Sequence, residues 1–248
     1  MRKETYLTVQ GYRPGEDIAG AIMRTIAIIA SVYGLCRNFH GPMSLTYFTD
    51  LSNIFIDVVL LVFLFRNFRR LRKGGKAAPM PNSWYVVKFM ATISITLTFF
   101  IYLTLLAPTN DAGFLNAYFC NGAGSFCVHF VTPILAIADY ILFDYRYVSN
   151  RLHVLFAIVP PYCYVGFVVI LSQFGIRWND TMYAPYNFLN YGAPTGWFGF
   201  DPSLLGSTTL GIGVVYMVVV LTILFVGVGA LYLQIKNVRR RRRLGVCS

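Results

Sequence analysis

Acidic residues are scarce: Asp and Glu together number 10 in 248 residues, against 21 Lys and Arg and only 3 His. Charged residues make up 12% of the chain, about half the share of an ordinary soluble domain. That deficit excludes a solvated surface of normal extent. The 5 cysteines show no CxxC spacing, which argues against a thiolate metal site. No GxSxG elbow occurs anywhere, so the α/β-hydrolase nucleophile is excluded too. Glu16 and Asp17 precede the first apolar stretch and argue against a cleavable signal peptide.

What is abundant is apolar surface, at 56% of residues. Apolar stretches at about 18–36, 44–65, 84–107, 124–144, 152–172 and 204–235 each approach the ~20 residues that cross a bilayer. They predict one all-α domain over 1–248, a polytopic integral membrane protein with six transmembrane helices. The linker "RNFRRLRKGGK", Arg146 with Arg151, and the basic tail 236–248 fall on one side of such a bundle. The opposite side holds Arg37 and Arg177. The positive-inside rule then places both termini in the cytoplasm. The net charge of +11 is explained by anionic lipid at the tail, and no nucleic acid is needed.

The stretch "SLTYFTDLSNIFIDVVLL", residues 44–61, carries more polar groups than a helix cap requires. Thr49 lies about one and a half turns below the outer surface, at ~1.5 Å per residue. The fourth span, "SFCVHFVTPILAIADYILFD", also starts outside, so His129 lies level with Thr49. Asn53 follows Thr49 by one turn and shares its face. A threonine becomes a nucleophile when a base takes its proton, and histidine titrates near neutrality. Asp50 or Asn53 then orients the imidazole or polarises a carbonyl. The plainer alternative is a threonine bonded back to its own helix and a histidine satisfied within the core. "NGAGSF" is superficially similar to the rhomboid serine proteases, but Ser125 closes a loop and His153 falls at the opposite end.

In the inner half, Arg24, Asp57 and Asp139 suggest a buried ion cluster. The alternative is a coupling site in a small transporter or lipid-binding protein. Lys88 is expected to snorkel, and Pro160-Pro161 to break the fifth span midway. The loop 173–203 carries Trp178, Tyr183, Tyr186 and Asn187 and reads as an interfacial aromatic belt or a lid over a lipid-sized pocket. Cys120 and Cys127 suit a disulfide if the outer compartment is oxidising; alternatively Cys127 packs as a small apolar residue.

Three segments in order carry a resemblance: "YFTDLSN" heading span two, "HFVTPILAIAD" heading span four, and Trp178 followed by "MYAPYNFLNYG". Together they resemble the androgen-induced membrane hydrolases and their bacterial six-span relatives. The chain departs from the animal members at Asp50, where they carry an apolar residue, and in its longer Tyr-Ala-Pro-Tyr-Asn-Phe-Leu run. What the resemblance implies is an intramembrane threonine hydrolase of lipid esters such as fatty acid esters of hydroxy fatty acids. Thr49 would be the nucleophile and His129 its partner, with no cofactor and no metal. The active site would face the outer leaflet.

Overall fold

The apolar runs become six helices among the described residues, each long and apolar enough to cross a membrane. The computed structural model describes residues 14–244 apart from 79, 109, 111–112 and 205–210. We label the helices α1 (Pro14–Asn38), α2 (Phe48–Arg72), α3 (Asn82–Leu106), α4 (Gly124–Phe143), α5 (Arg151–Gln173) and α6 (Val214–Leu244). Between α3 and α4 lie a short helix, Phe114–Phe119, and an extended stretch, Cys120–Ala123. α6 starts later than expected. Before it, Phe200 pairs with Ile212, Gly213 N–H donates to Gly199 O at 2.7 Å, and Gly211 takes φ 60°, a turn that helical geometry does not allow.

α1 runs along α2 and α4, and α3 packs against both α2 and α4. Ile56, Leu60, Phe89, Ile93 and Tyr140 fill the interior. Ile22, Ile29, Phe65, Ile170 and Ile223 point outward, the reverse of a water-soluble bundle and suited to an apolar solvent. With apolar side chains equally content in lipid, close packing must join the helices, and small residues allow it. A Cβ on Gly34 of α1 would stand 2.7 Å from Gly124 O and 2.6 Å from the Val128 side chain of α4. The same approach places Cys127 Cβ against α1, 3.2 Å from that position. Cys120 and Cys127 are free thiols, and Cys127 packs beside α1, the alternative to the expected disulfide.

The charges at the basic end arrange themselves differently from the expected cluster. Arg24 Nε does meet Asp139 Oδ1, at 2.9 Å. Asp57 does not join them; its Oδ1 is buried without a hydrogen-bond partner. Lys88 takes its place. Rather than snorkelling, Lys88 is wholly buried, paired with Asp139 and held 2.7 Å from Asp144 Oδ2, with its ammonium 4.4 Å over the Phe63 ring. The chain after α4 carries Asp144 over the end of α3, which closes the route to water that snorkelling needs. Two cations and two carboxylates compensate one another there, the condition under which buried charge is tolerated.

Two further expectations change. Pro160 and Pro161 do fall at a break in α5, but as the start of its α-helical part rather than as a kink within it. Arg151–Ala157 forms a tight 3₁₀ segment and the α-helical part starts at Val159, so the prolines occupy its first turn, where a missing N–H costs nothing. Lys236, first residue of the expected tail, belongs to the fold: its Nζ donates to Tyr147 O and Ser149 Oγ, both at 2.9 Å, and α6 continues to Leu244.

Candidate active site

The surplus of polar residues ahead of α2 is explained one residue at a time. Tyr47 caps α2 without a side-chain bond, so none of the hydroxyls is spent on capping. Thr46 ends a tight turn, Pro42–Thr46. Its Oγ1 accepts from Trp178 Nε1 at 2.8 Å, and its carbonyl accepts from Tyr164 Oη of α5 at 3.0 Å. Ser52 shares a 2.6 Å hydroxyl bond with Thr98 of α3. Asn53, fully buried, donates from Nδ2 to Thr49 O at 2.9 Å and to Val128 O at 3.2 Å, and its Oδ1 accepts from Ser31 Oγ. One amide therefore ties α1, α2 and α4. Thr46, Ser52 and Asn53 are thus fasteners.

Thr49 is half-buried and lines a partly open pocket of about 690 Å³. Phe48 and Thr49 of α2, Leu97 and Thr98 of α3, Tyr164 of α5, Phe225 of α6 and the loop residues Tyr186 and Phe188 are among its walls. Pro161 and Tyr162, at the joint inside α5, also line it. The walls are almost wholly apolar. Such a space takes an acyl chain well and a polar metabolite poorly. Thr49 N–H donates to Tyr186 Oη at 3.4 Å. Burial pushes the Tyr186 phenol up to about 12, with the Thr49 contacts offsetting part of the rise. Tyr186 is thus a neutral O–H donor at any working pH, and its proton is not engaged by Thr49 N–H.

His129 lies in a π turn, Cys127–Val131, at the head of α4. Its ring is buried and stacks on Tyr102 of α3, with centroids 3.5 Å apart and planes 12° from parallel. Tyr102 Oη is itself fixed by Ser125 Oγ at 2.9 Å and by Ala117 O. His129 Nδ1 has no hydrogen-bond partner among the described residues. No direct hydrogen bond joins Thr49 and His129 among the described residues. They are linked one step removed, because Asn53 Nδ2 bonds both Thr49 O and the carbonyl of Val128, the residue before His129.

Of the residues expected to contact substrate, Thr49 and Tyr186 line the pocket; Asp50, Asn53, Trp178, Tyr183 and Asn187 do not. Asp50 is buried and turned away, as the helical step of about 100° from Thr49 requires. Asn53 has its amide fully engaged. Trp178 fastens the loop to Thr46, and Tyr183 lies under the Arg177 guanidinium at 3.9 Å. Asn187 opens a single turn, Asn187–Leu189. The loop is thus tethered, and it contributes Tyr186, Phe188 and Leu189 to the pocket wall. Thr46, Tyr164 and Tyr102 were not anticipated. A phenol within an apolar span is a visible signal, but its partner becomes known only when the helices are placed. Comparison with protein-family models, curated proteins and solved structures finds no match to this chain.

Proposed function

We propose that the protein is a multi-pass membrane esterase in which Thr49 attacks the carbonyl of a fatty acyl ester held in the apolar pocket. The observation that carries this reading is the position of Thr49, a side-chain hydroxyl on the wall of a 690 Å³ apolar pocket beside the protonated phenol of Tyr186. His129 takes the Thr49 proton, through a bridging water where the two do not touch, and returns it to the departing alcohol. Tyr186 donates to the oxygen that becomes negative as the carbonyl is attacked. Water then releases the fatty acid from the acyl-threonine. The likeness of "YFTDLSN" and "HFVTPILAIAD" to the androgen-induced membrane hydrolases points to fatty acid esters of hydroxy fatty acids as substrates. The excess of Arg at the opposite end supports an outward-facing site.

The test is hydrolysis by the purified protein in detergent, using p-nitrophenyl esters of short and long chain and a fatty acid ester of a hydroxy fatty acid. Preference for the long acyl chains and labelling of Thr49 by a fluorophosphonate probe, located by peptide mapping, are the expected results. Absence of ester cleavage and of labelling in folded protein refutes the reading.

A further inference from the structure

A second cavity, of about 680 Å³, opens at the basic end of the bundle and shares no residue with the pocket beside Thr49. Arg24, Arg66, Arg70 and Arg146 line it, with the carboxylates Glu16, Asp17 and Asp144. Each carboxylate is already engaged. Arg70 Nη1 holds Asp17 Oδ1 at 3.1 Å, Arg243 pairs with Glu16, and Lys88 holds Asp144. Beneath them Asp139 is shared by Arg24 and Lys88. Six cations thus meet four carboxylates in one layer.

The donors are already held in position. Arg24 sits between the Phe63 and Phe143 rings, 5.5 and 5.9 Å from their centroids. Arg66 donates to Ala78 O. Arg146 pairs with no carboxylate among the described residues and lies 5.8 Å over the Tyr145 ring. Guanidinium forks bind phosphate oxygens bidentately, and basic recesses between membrane helices collect phosphate headgroups. We infer that this cavity binds a phosphate group, carried by an acidic phospholipid or by a soluble phosphate, with Arg146 and Arg66 as its principal donors. The inference does not depend on the esterase reading.

Native mass spectrometry and thermal unfolding of the full chain in detergent test it, with dioleoyl phosphatidic acid, dioleoyl phosphatidylcholine and inorganic phosphate as probes. Phosphatidic acid retained about tenfold more tightly than phosphatidylcholine is expected, with Arg146→Gln removing that preference, as the loss of one charged hydrogen bond implies. Arg66→Gln provides the second variant should Arg146→Gln not fold. A combined Arg240→Gln, Arg241→Gln, Arg242→Gln variant, in the last turns of α6, keeps the preference, because those residues do not line the cavity. A melting-temperature rise with inorganic phosphate alone, lost in Arg146→Gln, assigns the soluble source instead. Equal retention of the two lipids without any phosphate effect overturns the inference. So does binding abolished by the tail variant and unchanged in Arg146→Gln and Arg66→Gln.

Discussion

Asn53 Nδ2 donates to Val128 O across 3.2 Å, from the second turns of α2 to the π turn of α4. The same nitrogen bonds Thr49 O, and the amide oxygen accepts from Ser31. Asn53 is therefore the point at which the proposed nucleophile and the segment bearing the proposed base are fixed relative to each other. Asn53→Ala leaves a cavity and frees buried polar groups on three helices, each costing about 1–3 kcal/mol. We expect a lower melting temperature in detergent and a fall in ester turnover. Unchanged stability would show that α1, α2 and α4 are joined by packing alone.

The Thr49 side chain hydrogen-bonds the Tyr186 phenol of the loop, a single contact whose loss has a small effect on the fold. Thr49→Ala is expected to abolish ester cleavage and probe labelling while lowering stability by about 0.5–1.5 kcal/mol, the net worth of one hydrogen bond. Thr49→Ser retains part of the activity because a hydroxyl remains. Full hydrolysis by Thr49→Ala would remove the residue from the mechanism.

Tyr186 can act as a donor because burial keeps it protonated. With its phenol pushed up to about 12, ionisation of Tyr186 cannot shape a rate profile at ordinary pH, and activity should show no tyrosine limb below about pH 11. Tyr186→Phe removes the O–H and leaves the ring on Phe188. We expect kcat to fall about 10²–10³-fold, the usual cost of losing an oxyanion donor, with KM changed little. A rise in KM at constant kcat would instead make Tyr186 a binding residue.

Lys88 and Asp57 should behave oppositely although both are buried charged positions. Lys88→Met leaves Asp139 and Asp144 facing each other with one cation between them, and is expected to destabilise by about 3–5 kcal/mol. Asp57→Asn removes a carboxylate that no cation holds, and is expected to be neutral or stabilising. Melting temperatures of the two variants decide the point; strong destabilisation by Asp57→Asn would return Asp57 to the ion cluster.

The six helices, the concentration of arginine at one end, and Thr49 as a polar group at the head of a membrane-length helix were all legible in the sequence. Apolar run length and charge asymmetry are local properties, set by about 20 residues at a time. Partner choice is not local. Each residue along a helix rotates the side chain by about 100°, so the facing of Asp57, Asp50 and Asn53 depended on how α2 is turned against α1 and α4. Arg24–Asp139 was anticipated because depth brought the two level. Lys88 was not, because its burial depends on where the chain following α4 folds back over α3. The head of α4 was likewise decided by tertiary structure: Gly34 lets α1 approach Gly124, Cys127 and Val128 closely, beside the π turn that carries His129. Residue type and depth determined which groups could meet, and helix rotation with loop return decided which of them did.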